Sequence, residues 1–190
     1  MKRGSEIAAL RELPLPEYLK VRRAEQADFE RMAQVYNESI RAGDAAFATA
    51  EKTAAEMRAE ALAMGPREAF FVLLCGRHLL GFSQIKAYSD RPGYRCTAET
   101  STFLDRNQRR KGFGTFLKKA IIQQCKAFGY HHLVAKIIAD NQASIAYNLK
   151  LGYEWVGTQR QVGYRKGKLR DVALLQLILE DVPPFAPHLD

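Results

Sequence analysis

Six consecutive residues, Arg109-Arg110-Lys111-Gly112-Phe113-Gly114, combine three formal positive charges with two glycines. They follow a strand-like run, Thr97 to Leu104, and open a helix-like run, Phe113 to Phe128. A strand, a short loop of small residues and a helix can together hold phosphate. The N–H groups of a helix's first turn lack intrahelical partners, and the helix dipole favours an anion there. Gly112 and Gly114 carry no side chain to keep an anion off the backbone. A solvated basic bend with two glycines is the competing reading of the same residues, because short glycine patterns match by chance. Two phosphate loops are excluded by spacing. Thr115-Phe116-Leu117 follows where a Walker loop needs Gly-Lys-Ser/Thr, and Leu117 stands where a dinucleotide fingerprint needs its third glycine.

The elements that must position this loop form one domain's worth of chain, 190 residues, 47% hydrophobic and 26% charged. Residues 1–18 read as an arm punctuated by Pro14 and Pro16, residues 19–182 as a single domain and 183–190 as a short tail. A strand is expected at Leu19 to Arg23. A helix follows at Asp28 to Ile40, where Phe29, Met32, Ala33, Val35, Tyr36 and Ile40 share one face, and Gly43 stops it. Thr53-Ala54-Ala55-Glu56 is a capping box for a helix that Gly65-Pro66 ends. Ala69 to Cys75 and Leu79 to Lys86 read as a hairpin turning at Gly76-Arg77-His78. The helix over 113–128 is expected to bury Phe113, Phe116, Leu117, Ala120, Ile121 and Phe128, with Lys118, Lys119 and Lys126 elsewhere. A buried strand at Leu133 to Ile138, a helix over 142–150 capped by Asn141, and strands at Glu154 to Gln161 and Leu169 to Leu179 complete the chain. The last two strands are expected to be joined by a loop holding Gly163 and Gly167.

Composition narrows the functional classes. The net charge is +8, but the basic residues are scattered, without a basic helix, an RNA-binding aromatic motif or a zinc module, so specific nucleic-acid binding is not expected. Apolar runs are too short to cross a bilayer, and the first residues lack a signal-peptide core. Cys75, Cys96 and Cys125 have no metal-like spacing; we expect reduced thiols, no metal, no membrane partner and a cytoplasmic protein.

A second pattern lies downstream: Asn141-Gln142-Ala143-Ser144-Ile145-Ala146-Tyr147-Asn148-Leu149-Lys150-Leu151-Gly152-Tyr153. With the R-x-x-G-x-G loop before it, the chain resembles the GCN5-related N-acetyltransferases over about residues 19–180. Tyr36-Asn37-Glu38-Ser39-Ile40, Phe47-Ala48-Thr49, Gly93 to Glu99 and Gly163 to Gly167 resemble the phosphinothricin and methionine sulfone acetyltransferase branch. The resemblance implies an α/β (α+β) fold: a mostly antiparallel mixed sheet of about seven strands flanked by about four helices. It implies acetyl-CoA as cofactor, a small and amino-acid-like amine as acceptor, direct attack in a ternary complex, and a homodimer. Rival readings are a protein N-terminal or lysine acetyltransferase and a non-catalytic acyl-CoA-binding or nucleic-acid-binding protein.

The resemblance also distributes roles. The cofactor is expected on Arg109, Arg110, Lys111, Gly112, Phe113, Gly114 and Thr115, on the backbone at Thr102, Phe103 and Leu104, and at Asn141 and Ser144. In the family the strand carrying Thr102 to Leu104 bulges and parts from the next, and the pantetheine arm fills the gap. An amine with a pKa near 10 must lose a proton before it attacks. Glu99 matches the family's proposed base and lies four residues before Phe103, on the same strand face. From position alone Glu99 reads equally as the partner of a basic neighbour. The family's usual tyrosine acid is replaced by Asn148, an amide with no usable proton, and Tyr147 stands one residue earlier. Phe47, Thr49, Lys86, Arg95 and Arg165 are the expected substrate contacts. Ile85-Lys86 and Leu169-Arg170 depart from the branch's Trp-Arg and Trp-His pairs, which points to a different acceptor amine.

Overall fold

The computed structural model describes residues 18–43 and 50–182. Seven strands, β1 (Leu19–Arg23), β2 (Ala69–Cys75), β3 (His78–Ala87), β4 (Thr97–Leu104), β5 (His132–Ile138), β6 (Glu154–Arg165) and β7 (Lys168–Ile178), form one sheet in the order β1-β2-β3-β4-β5-β7-β6. Every neighbouring pair is antiparallel except β4–β5, which is parallel. Four helices flank it: α1 (Phe29–Ala42), α2 (Ala54–Ala63), α3 (Phe113–Ala127) and α4 (Gln142–Lys150).

Each face of the sheet buries its own core. On one face α1 and α2 pack Met32, Val35, Tyr36 and Met57 against Phe70, Val72 and Phe82. On the other, α3 and α4 pack Leu117, Ile121, Cys125 and Ile145 against Leu73, Ile85, Ala98, Leu133 and Leu175. Helix ends follow their chemistry. Gly43 closes α1 with φ 89°, and the Thr53 hydroxyl and Glu56 carboxylate cap α2 reciprocally.

The β4–β5 junction is the unusual part. β4 pairs with β3 along its whole length, but with β5 only at Thr97↔His132, Ala98↔Leu133 and Glu99↔Val134. From Thr100 onward the two strands part. Among the described residues no ladder partner then meets the main chain of Thr100–Leu104 on its β5 side. The divergence expected from the resemblance is therefore present, but no bulge accompanies it. The β3–β4 register runs unshifted from Gly81↔Leu104 to Ala87↔Ala98, because β3 holds β4 straight.

Two further expectations need correction. Gly163 is not in a loop: it pairs with Arg170 inside the β6–β7 hairpin, whose turn is Lys166-Gly167, both with positive φ. Two successive left-handed residues make the tight hairpin turn that suits twisted strands. The irregularity before Gly163 centres on Gln161 (φ 53°), whose N–H donates to Asp171 Oδ1 at 2.8 Å. Lys118 is not on the polar side of α3. It is 2% exposed, in one stripe with Leu117, Ile121 and Cys125.

Gly81 keeps β4 in place. A Cβ there would stand 2.5 Å from the Phe103 carbonyl oxygen and 3.1 Å from Leu104 Cα, both main-chain atoms. Gly81→Ala should therefore lower stability by about 1–3 kcal/mol, read as an earlier urea midpoint at unchanged slope. A midpoint equal to that of the parent would show that β4 can shift freely.

Candidate active site

The gap between β4 and β5 opens into a cavity of about 720 Å³ that passes from the α3–α4 face to the α1–α2 face. At one end are Arg109, Arg110, Gly112, Gly114 and Thr115; along its length run Thr100 to Leu104 and Ala135 to Ile138; at the far end are Tyr36, Ser39, Lys52 and Gln84. Five basic side chains line it, Lys52, Arg109, Arg110, Lys118 and Lys136, and no carboxylate does among the described residues. Such a cleft concentrates anions.

The glycine loop is built as its spacing suggests. Arg110 (φ 63°) and Gly112 (φ 82°) are left-handed, which turns successive N–H groups inward. Gly112 caps α3 without a side-chain hydrogen bond, and the first helical bond runs from Phe116 N–H to the Gly112 carbonyl. The N–H groups of Phe113, Gly114 and Thr115 thus have no intrahelical acceptor. A Cβ on Gly114 would lie 3.0 Å from Leu104 Cδ1 and 3.5 Å from the Tyr147 hydroxyl, so glycine keeps α3 close to β4 and α4. Lys111 donates to Gln108 Oε1 at 3.1 Å and Phe113 packs into the core; neither lines the cavity.

On α4, Asn141 Oδ1 caps the helix by accepting from Ser144 N–H at 3.1 Å, and both residues line the cavity. Asn148 is 5% exposed. Its Nδ2 donates to the Ser144 carbonyl at 2.8 Å, and among the described residues its Oδ1 finds no partner. A buried amide oxygen facing a cavity without a donor marks a place for a polar ligand. The Tyr147 hydroxyl donates to the Gly114 carbonyl at 2.6 Å, and burial pushes its phenol far up. An extended chain carrying phosphates at one end and amide donors along its length fits these features, as coenzyme A would.

Glu99 stands on the α1–α2 face at the last paired position, in register with Lys86 of β3 and on the side of Phe103. Its Oε2 accepts from Lys136 Nζ at 2.6 Å, the pairing that position alone allowed; among the described residues Oε1 accepts no hydrogen bond. Of the expected substrate contacts, Lys86 is exposed beside Glu99. Arg95 is exposed in a turn and its carbonyl accepts from Arg67. Arg165 is buried and donates to the carbonyls of Ile40 at 2.9 Å and Gly43 at 3.1 Å, tying β6 to the end of α1 away from the cavity lining. Phe47 and Thr49 lie outside the described residues.

Several lining residues escaped the sequence reading. Lys52 Nζ donates to Glu60 Oε2 at 2.5 Å and lies 5.1 Å from the Tyr36 ring centroid, while Gln84 Nε2 donates to Glu60 Oε1 at 2.7 Å. Burial opposes ionisation of Glu60, yet these two donors outweigh it and hold the carboxyl below its ordinary value. Tyr36 packs in the core as well, on the apolar face of α1, and Lys52 directly precedes the Thr53 capping box. Lys118 could have been found. Position 118 is four residues after Gly114, three before Ile121 and seven before Cys125, which places it on the apolar stripe.

A family model described as an acetyltransferase (GNAT) domain matches residues 21–174. An L-methionine sulfoximine/L-methionine sulfone acetyltransferase of Pseudomonas paraeruginosa is 36% identical over 102 residues, covering 54% of this chain and 59% of that protein. The chain thus spans about three fifths of the length of the first curated relatives it matches. The L-amino acid N-acyltransferase MnaT of Escherichia coli is 27% identical over 86% of this chain and 95% of its own. Among solved structures, a GNAT superfamily phosphinothricin acetyltransferase (Pat) from Sinorhizobium meliloti in complex with AcCoA aligns with a TM-score of 0.81 and 27% identity, covering 88% of this chain and 94% of that one.

The buried ammonium of Lys118 has a measurable cost. Burial lowers it from 10.5 to about 8. The unfolded chain therefore binds this proton more tightly than the folded one. The penalty is fully present below pH about 8 and fades as pH rises towards 10.5. Lys118→Met should raise stability at neutral pH by roughly 1–3 kcal/mol, with an advantage that narrows across that window in thermal melts. A variant less stable than the parent at pH 7 would contradict this.

Proposed function

Because the chain belongs to the GNAT acetyltransferase family, we propose that it transfers the acetyl group of acetyl-CoA to the amine of a small, amino-acid-like substrate. The observation that carries this reading is the cavity running through the β4–β5 gap, with an uncapped helix N-terminus at one end and Glu99 beside the other. By their names, relatives acetylate methionine sulfone and phosphinothricin, and another is an acyltransferase of L-amino acids.

Acetyl-CoA, when bound, supplies an acyl group activated as a thioester. The chain's own residues do the rest. The N–H groups of residues 112–115 with Arg109 and Arg110 hold the pyrophosphate. The unpaired main chain of Thr100–Leu104 takes the extended arm as β5 would take a strand. Lys52 and Gln84, at the far end, are placed to meet a carboxylate or polar group of the acceptor. Glu99 removes the amine's proton, directly or through one water. Lys136 fixes the carboxylate's direction through Oε2 and leaves Oε1 to act.

The test is a panel of amino-acid-like amines with acetyl-CoA, followed by release of free thiol, on the parent and on Glu99→Gln. Turnover of the variant should fall by roughly a hundred- to ten-thousand-fold at neutral pH, with acetyl-CoA affinity little changed. The deficit should shrink as pH approaches the amine's own pKa, where free amine forms unaided. A deficit of the same size at high pH would remove Glu99 from the mechanism.

Assembly and location extend the same proposal. β6 is an edge strand with Trp155 48% and Tyr164 66% exposed, beside Val156 and Val162. An apolar edge of this length invites cover, and we assign it to a second copy of the chain. Light scattering should give twice the chain mass, and Trp155→Glu should halve it; a monomeric parent would refute the assignment. No helix among the described residues is long and apolar enough to cross a membrane. The three free cysteines, Cys75, Cys96 and Cys125, suit the cytoplasm we propose.

A further inference from the structure

The mechanism above leaves one reacting group without a partner. The departing sulfur needs a proton, and the two α4 residues nearest in sequence to the family's usual acid are poorly equipped to give it. Asn148 is an amide, and Tyr147 has its hydroxyl committed to the Gly114 carbonyl. Lys118 remains. It lines the same cavity, from the second turn of the helix whose N-terminus forms the glycine loop.

Its surroundings are specific. Lys118 Nζ donates to Thr100 Oγ1 at 2.7 Å and lies 5.0 Å from the centroid of the Tyr153 ring. The Tyr153 hydroxyl shares the same Thr100 oxygen at 3.2 Å. The other titratable groups on this side are the Cys125 thiol, seven residues along α3, and Tyr147 on α4. Glu99 projects from the opposite face of β4 and is held by Lys136. β3 faces Thr100 and Thr102 with Ile85 and Ser83, which do not titrate. Among the described residues no carboxylate pairs with Lys118.

A lysine buried without an acid is a poor structural choice, because leucine or methionine would fill the same space at lower cost. Its location suggests another use. Thr100 is the first residue beyond the last β4–β5 pair, so Lys118 stands at the closed end of the gap, and the glycine loop at its open end. A chain anchored by its phosphates at the loop and laid along β4 leads towards Lys118.

We propose that Lys118 is the proton donor to the sulfur released in acetyl transfer, a role that rests on the acetyltransferase reading. Glu99, having passed the ammonium's first proton on to water, takes the second proton that the amine nitrogen sheds as its bond to the acyl carbon forms. Lys118 gives its proton to the sulfur as the carbon–sulfur bond breaks and its electron pair passes to sulfur. One proton lost by Glu99 to water and one gained by Lys118 from water restore the starting state, so the products are the amide and free coenzyme A thiol. Burial brings Lys118 to about 8, close to the roughly 8.5 of an ordinary thiol, so transfer between the two is nearly balanced.

The experiment follows the thiolate absorbance of coenzyme A bound to the full chain, titrated with pH, for the parent, Lys118→Met and Lys118→Gln. In the parent the bound thiol should titrate below free coenzyme A in the same buffer, because the ammonium favours the thiolate. In both variants it should move up to the free value or beyond. Turnover should drop by roughly a hundred- to ten-thousand-fold, with KM for acetyl-CoA little altered. Bound thiols that titrate alike in parent and variants would overturn the role of Lys118 and leave the acetyltransferase reading standing. Loss of coenzyme A binding by both folded variants would assign Lys118 to anchoring and equally overturn it. A parent that does not bind coenzyme A would overturn the acetyltransferase reading as well.

Discussion

The site depends on a ladder that stops. Three residues of β4 pair with β5 and the next five do not, although both strands continue. Main-chain groups deprived of a neighbour inside a protein must find another partner. Here the parting can persist because each strand is firmly held on its other side, β4 by seven register pairs to β3 and β5 by seven to β7. Two separate cores keep the halves apart without letting the sheet fall open. The loop, the uncapped helix and the basic lining are all arranged around that single wedge.

How much of this was legible in the sequence follows from what local chemistry can encode. The ends of β4, α4 and the α2 cap were readable, since turn residues and capping oxygens act within a few residues. The glycine loop was readable because charge, glycine spacing and element order coincide. The β6–β7 turn was misplaced because the pair that bends, Lys166-Gly167, lies among other glycines, and only the strand register shows that Gly163 belongs to the ladder. The far end of the cavity was invisible. Tyr36 and Ser39 come from α1, Lys52 from the segment before α2 and Gln84 from β3, and only the fold brings them together. The contacts of Arg165 were hidden for a related reason. Its guanidinium donates to the carbonyls of Gly43 and Ile40 at the end of α1, 122 and 125 residues away in sequence, which no local pattern signals.

Charge in this molecule is asymmetric in its burial. Among the described residues the ion pairs Arg22–Glu25, Arg41–Glu51, Lys126–Asp181 and Arg170–Asp140 are each more than half exposed on one partner and contribute little. The informative charges are inside. Asp28 is buried and held by Arg22 at 2.6 Å, where it also closes the turn before α1. Lys118 is buried, and among the described residues its ammonium meets a hydroxyl and a ring face but no carboxylate, a local breach of the rule that interior charges are matched. A fold tolerates such a breach where another requirement outranks stability.

One pairing reaches across the two halves. Arg31, on α1, binds the buried Asp105, whose other oxygen accepts the N–H of Asn107 at 2.8 Å at the entrance to the glycine loop. The helix that borders the far end of the cavity and the glycine loop are thus joined by one carboxylate. In thermodynamic terms a ligand at either end that shifted this junction would be felt at the other, and such linkage is reciprocal. Whatever free energy an occupied loop lent to the far end of the cavity through Arg31, an occupied far end would return to the loop in equal measure.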